Sequence, residues 1–383
     1  MDLEDSIQRR IDRLAGNKRS NDGRDSEELP SSDSEVSSTH DLRQLVVTAI
    51  QEGASDIHLV AYYPPTLRIL GCMKAVEGAS PMTPSDVQGI FQSITTQEQR
   101  LVFQHELELD FQYNLSKLAR LRVNACLQQG SISMSFRIIP VGVPTFEELG
   151  LPEVCRKLAM EHHGLVLVTG PTGVGKTTTM AAMINYVNHQ ADRKIITIED
   201  PIEYVYNRGK SMIIQRNLGD DTRSFAEGVK RALRQDPNVV LIGEMRDLET
   251  ISAALTAAET GHLVLATLHT LGAAATVDRI VDVFPNGQAS QIRVQLALTL
   301  KGVISQILLP RADGTGRVAA FEIMIGTPAI RTLMRDGKSH QIEGIVEMSS
   351  NQGMYTLTQD VRRLAKEGLI TAEIAEAVIG KQP

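Results

Sequence analysis

The sequence predicts an α/β domain built on a parallel sheet, preceded by a smaller α+β domain. Three observations carry that expectation. Four near-continuous apolar runs, GLVLVTG, KIITIED, NVVLIGE and HLVLATLHT, lie between residues 164 and 270. Such runs suit central parallel strands covered on both faces. Helix-like segments separate them: in DLETISAALTAAET, Ile251, Ala254, Leu255 and Ala258 share one face. Upstream of residue 140 the pattern changes to short segments of alternating polarity, the signature of strands with one face in water.

Composition narrows the class. A chain of 383 residues, 42% apolar, is long enough for two globular domains and a tail. It contains no run of about 18 apolar residues, so no helix is expected to span a membrane. The start, MDLEDSIQRR, is charged throughout and is unlike a secretory signal. Cys72, Cys126 and Cys155 form no CxxC pair, which argues against a zinc site and fits a reducing cytoplasm. A net charge of −7 and the lack of tryptophan argue against a nucleic-acid motor.

In chain order, residues 1–40 are rich in Ser, Asp and Glu and read as a disordered tail, with LEDSIQRRIDRL either a short helix or solvated chain. Residues 41–140 form the α+β domain. DLRQLVVTAIQEG reads as a helix, ASDIHLVA and PPTLRILG as strands, DVQGIFQSI and TQEQRLVFQH as helices, and ELDFQYN, ARLRVNACLQQ and SISMSFRIIP as strands. The Pro- and Gly-rich VGVPTFEELGLP reads as a linker over 141–150. Residues 151–383 form the α/β domain, with a helical C-terminal part.

The first apolar run leads into Gly170-x4-Gly175-Lys176-Thr177, the full P-loop pattern, between a strand and a helix as that motif requires. Its glycines let backbone N–H groups turn inward around phosphate, and the following helix adds the positive end of its dipole. Gly170, Pro171, Thr172, Gly173, Val174, Gly175, Lys176, Thr177 and Thr178 are the expected nucleotide cradle. Lys176 would reach the β- and γ-phosphates, and the Thr177 hydroxyl would hold Mg²⁺.

Ligands of open α/β sheets sit at the carboxyl ends of the strands, and each run ends on a polar residue there. The second ends in Glu199 and Asp200, with Glu203 just beyond; the third ends in Glu244; the fourth ends in His269. In VVLIGEMRD, Gly243 stands where many P-loop proteins place a magnesium-binding aspartate, and Glu244 follows. Glu244 would position Mg²⁺ through water or polarise the attacking water, and Glu203 competes for the role of general base. His262 and His269, separated by a strand, lie roughly 23 Å apart and are no metal pair. His269 is at the nucleotide end; His262, at the other, suits packing or an interface.

TIEDPIEYV, GEMRDLETISAALTAAETGHLVLATLHT and VDRIVDVFP, taken with the P-loop, resemble the Asp box, Walker B and His box segments of the type II/type IV secretion ATPases. GASDIHL and ARLRVNA…FRIIP resemble that family's N-terminal domain. The resemblance runs from about Asp41 to the C-terminus. It implies a RecA-like P-loop ATPase domain behind a PAS-like domain, MgATP as substrate, and a homohexameric ring at the inner face of the cytoplasmic membrane. It also implies arginines of the N-terminal domain that approach the phosphates, at positions matching Arg120, Arg122 and Arg137; Arg246 and Arg279 are further candidates. GRVAAFEIMIGTPAIRTLMRDGKSHQI carries a variant of the retraction-branch signature AIRNLIRE, with Thr332, Met334 and Asp336 replacing Asn, Ile and Glu. Those replacements leave a paralogous branch open. The absence of the four-cysteine module usual in assembly and secretion members leans toward retraction. The implied partner is the inner-membrane platform protein at a pilus base.

Overall fold

The computed structural model describes residues 41–69, 71–115, 118–139 and 142–380. The expected tail, with LEDSIQRRIDRL, lies outside the described residues. The chain divides into two compact units between residues 141 and 142.

The first unit contains α1 (Leu42–Gln51), β1 (Asp56–Val60), β2 (Thr66–Ile69), β3 (Cys72–Ala75), α2 (Pro84–Ile94), α3 (Gln97–Glu106), β4 (Glu108–Leu115), β5 (Ala119–Gln128) and β6 (Ser131–Ile139). Its six strands pair antiparallel in the order β3-β2-β1-β6-β5-β4. Thr83 and Thr96 start α2 and α3 through capping boxes with Asp86 and Gln99, satisfying N–H groups that a helix start leaves without partners. Val46, Val87 and Phe91 of the helices bury against Ile57, Leu121, Val123 and Phe136 of the sheet. Because side chains alternate along a strand, the opposite face takes the polar set. Register puts Arg68, Asp56, Arg137, Arg122 and Gln112 side by side across five strands. β3 is a strand that the pattern did not announce. All four of its residues are exposed, so it shows no apolar period and exists through backbone pairing with β2.

The second unit contains α4 (Phe146–Leu149), α5 (Glu153–Ala159), β7 (Gly164–Thr169), α6 (Lys176–Gln190), β8 (Lys194–Glu199), β9 (Met212–Asn217), α7 (Phe225–Ala232), β10 (Val239–Ile242), α8 (Leu248–Glu259), β11 (Leu263–Leu268), α9 (Ala273–Asp282), α10 (Ala289–Thr299), β12 (Leu300–Pro310), β13 (Arg317–Ile325), α11 (Pro328–Asp336), α12 (Ile342–Met348), α13 (Leu357–Lys366) and α14 (Ala372–Ile379). The sheet runs β13-β12-β7-β11-β10-β8-β9, parallel except for β13. The four apolar runs are β7, β8, β10 and β11, which lie together in its interior and are almost wholly buried. Alternate side chains of these strands feed two cores. Val166, Val168, Leu241 and Leu265 pack with Met183 and Ile184 of α6. Leu165, Leu167, Val240 and Val264 pack with Ile251, Ala254, Leu255 and Ala258 of α8.

Two features depart from the pattern reading. Within the segment read as a linker, Phe146–Leu149 form a helical turn, closed by a Thr145–Glu148 capping box. Phe146 is buried and packs beside Tyr186 with the rings tilted by 57°, and the Arg156 guanidinium lies over both. The second departure is β9, β12 and β13, three strands beyond the four runs. β9 is an edge strand and half-exposed, and Ser305 and Gln306 interrupt the apolar run of β12, so neither shows a clean period.

Candidate nucleotide site

The P-loop follows β7 in the middle of the sheet. Gly170, Gly173 and Gly175 all have positive φ, at 140°, 81° and 90°, a region that costs little only for glycine. Gly170 is also closed to any side chain, because a β-carbon there would lie 2.2 Å from the Gln306 carbonyl oxygen. Helix α6 begins at Lys176 with no side-chain cap. Its first N–H groups are therefore directed at whatever binds the loop, a geometry suited to phosphate.

Lys176 is buried, and its Nζ donates to the Gly170 and Pro171 carbonyls at 2.7 and 2.9 Å. Burial pushes its pKa down, and Glu244 nearby opposes that shift. The same Nζ stands 3.4 Å from His269 Nδ1, and the Thr172 hydroxyl is equally close to that nitrogen. His269 Nε2 meets Glu244 Oε1 at 2.7 Å, and Arg246 Nε reaches the same oxygen. With Nε2–H donating to Glu244, Nδ1 is left as acceptor toward Thr172 and Lys176. Strand ends widely separated in sequence thus converge on the P-loop lysine.

Glu244 owes its place to backbone. Gly243 N–H bonds Ile198 O on β8, and Met245 N–H bonds Thr267 O on β11. The residue between is pinned across two neighbouring strands. Gly243 sits so tightly that a β-carbon would lie 3.3 Å from both Ile198 O and Glu199 Cα. A side chain there would press on the neighbouring strand by a few tenths of an ångström, and the acidic residue stands one position on.

Glu203 is placed differently. It is exposed in the irregular segment between β8 and β9, and its carboxylate makes no hydrogen bond or ion pair with the P-loop, Glu244 or His269 among the described residues. The carboxylate of nearby Glu199 accepts from Thr197 Oγ1 at 2.6 Å and Gln215 Nε2 at 3.3 Å. Glu199 is buried, and burial raises its pKa. The Thr178 hydroxyl bonds Tyr204 Oη at 3.0 Å, while Thr177 is half-buried beside it. His262 lies at the other end of β11, its Nδ1 near Ala257 O and Thr260 Oγ1, a contact that braces the turn after α8. Arg279 is exposed on α9.

The arginines of the first unit lie on the polar sheet face. Arg122 and Arg137 stand directly opposite each other on β5 and β6. Arg137 pairs with Asp56 at 3.1 Å, and Arg120 bonds Gln112. Arg122 is exposed and makes no hydrogen bond or ion pair among the described residues.

One contributor escaped the sequence reading. Gln306, fully buried on β12, donates Nε2 to Val174 O at 2.6 Å and accepts from Thr179 Oγ1 at 2.9 Å. It staples the P-loop to α6 from below. A glutamine inside an apolar strand was the available signal, since a buried amide must find partners. Gln306→Leu strands a buried carbonyl and a buried hydroxyl. The expected cost is about 1–3 kcal/mol of stability, read from denaturant unfolding, together with weaker ATP binding. An unchanged midpoint and unchanged affinity would remove the staple.

The family profile for "Type II/IV secretion system protein" matches residues 32–364. The Pseudomonas aeruginosa "Type IV pilus retractation ATPase PilT" is 46% identical over 335 residues, covering 88% of this chain and 97% of the relative. The "Type IV pilus ATPase PilU" of the same organism is 38% identical and covers 88% of each chain. Among solved structures, that of the pilus retraction motor PilT with bound ADP matches with a TM-score of 0.82 and 44% identity, covering 88% of this chain and 96% of the other.

Proposed function

Because the chain belongs to the Type II/IV secretion system protein family, we propose that it is a ring-forming motor ATPase of type IV pili, working in retraction and twitching motility. The observation that carries the reading is the junction of Lys176, His269, Glu244 and Arg246 around the P-loop. The higher identity to PilT than to PilU favours retraction over the paralogous role. The partners are five further copies of the chain and the inner-membrane platform protein of the pilus. No described helix is long and apolar enough to cross a membrane, which is consistent with action at the cytoplasmic face. The six-stranded sheet backed by three helices supports the PAS-like reading of the first unit.

In the proposed reaction the P-loop N–H groups and Lys176 take the phosphates of ATP, with Lys176 exchanging its carbonyl partners for β- and γ-oxygens. The Thr177 hydroxyl and, through water, the Glu244 carboxylate would hold Mg²⁺, which would offset phosphate charge when bound. His269, donating to Glu244 while its other nitrogen faces Lys176, links the γ-phosphate position to Walker B. Glu203 is the general base, because its carboxylate is not engaged whereas Glu244 already holds His269 and Arg246. Arginines of the first unit stabilise the transferring phosphoryl group. Hydrolysis then changes how the two units are held, and the ring passes that change to the platform protein. Pilus length and twitching in a deletion strain, complemented by the wild-type gene or by Lys176→Ala, test the reading.

Glu203→Gln and Glu244→Gln separate the carboxylate roles. Each is expected to bind ATP with near-normal affinity. Glu203→Gln should lose turnover by roughly 10²-fold or more, the scale of a general base. For either variant, weakened binding at unchanged turnover contradicts its assigned role.

A further inference from the structure

Glu203 lies on a stretch without helix or strand, from Asp200 to Ser211. A catalytic carboxylate on irregular chain must be held by side chains, since no ladder fixes its backbone. The anchors are specific. Ile202 N–H bonds Asn217 Oδ1 at 3.2 Å. Gln215 Nε2 donates at 2.7 Å to Tyr204 O and also reaches the buried Glu199 carboxylate. These bonds tie the stretch to β9 and, through Gln215, to β8. Burial alternates along it: Ile202 and Tyr204 are buried, while Glu203 and Val205 are exposed. Tyr204 thus turns inward, and its hydroxyl meets the Thr178 hydroxyl at 3.0 Å. Thr178 follows Lys176 and Thr177 in the first turn of α6. Among the described residues this is the one hydrogen bond from the stretch to that turn.

We propose that Tyr204 is a positioning residue, whose hydroxyl bond to Thr178 sets the Glu203 carboxylate relative to the P-loop helix. The inference rests on the reading of Glu203 as the base. The tyrosine ring is already packed in place, so the hydroxyl adds register rather than burial. Burial of the phenol raises its pKa, which keeps it protonated and able to share a hydrogen with Thr178. Either hydroxyl can donate. When ATP draws the first turn of α6 around its phosphates, the bond carries the Glu203 stretch with it.

The test uses the full chain and four variants: Tyr204→Phe, Thr178→Val, the double, and Thr178→Ser. Steady-state hydrolysis gives kcat and KM, and nucleotide titration gives ADP affinity. Tyr204→Phe and Thr178→Val should each lower kcat by about tenfold, the scale of one hydrogen bond. In Tyr204→Phe, KM and ADP affinity should stay within about twofold, because Tyr204 lies outside the phosphate cradle. The double variant should be no slower than the slower single one, and Thr178→Ser, which keeps the hydroxyl, should turn over faster than Thr178→Val. Wild-type kcat in Tyr204→Phe, additive losses in the double, or a loss confined to KM overturns the proposal. Glu203→Gln, assayed alongside, separates the two ideas. If it is inactive while Tyr204→Phe is normal, only the positioning role fails. If it hydrolyses normally, both fall.

Discussion

Lys176→Ala is expected to abolish ATP hydrolysis, by at least about 10³-fold in kcat, the upper range for removing one preorganised donor from a transition state, and to weaken nucleotide binding strongly. Its ammonium is the cation at the centre of the P-loop. It carries three donors, two of which hold the Gly170 and Pro171 carbonyls. No other basic side chain contacts those carbonyls among the described residues. The fold should survive the change with a modest loss of stability, because desolvation of the amine opposes the loss of its bonds to the Gly170 and Pro171 carbonyls. In protein that remains folded, phosphate release should fall to background and nucleotide titration should weaken. Near-normal turnover in an intact protein would remove the P-loop from the mechanism.

An arginine of the first unit is expected to be nearly as decisive. Arg122→Ala should cost turnover by about 10³-fold or more, the range of arginine fingers. ADP affinity should change far less, since ADP lacks the γ-phosphate. The ranking within the set follows from present partners. Arg137 must leave Asp56 and Arg120 must leave Gln112 before either meets phosphate, whereas Arg122 has no such bond to break among the described residues. Arg120→Ala and Arg137→Ala should therefore fall short of the Arg122 effect. ATPase rate, ADP affinity and ring assembly measured for all three decide it. Normal hydrolysis by three intact assemblies would confine the first unit to assembly or partner binding.

The sequence by itself determined the elements whose signal is local. The four buried runs stand as β7, β8, β10 and β11, because strands covered on both faces must be apolar throughout. The glycine spacing of the P-loop was legible because its tight turn demands positive φ, which Gly170, Gly173 and Gly175 adopt. Helix α8 was legible from its spacing alone. Only the tertiary structure decided which strand ends meet. The sheet order interleaves β11 between β7 and β10, and that order brings His269 onto both Lys176 and Glu244. No periodicity encodes it, because strand neighbours are chosen by how crossover helices share the two faces. Gln306 and Tyr204 were hidden for a related reason. Gln306 acts through both polar atoms of its amide, and the proposed role of Tyr204 runs through its hydroxyl, on partners far away in sequence; a buried polar atom shows its role only once its partner is beside it. β3 and β9 were hidden because backbone pairing at a sheet edge asks little of side chains.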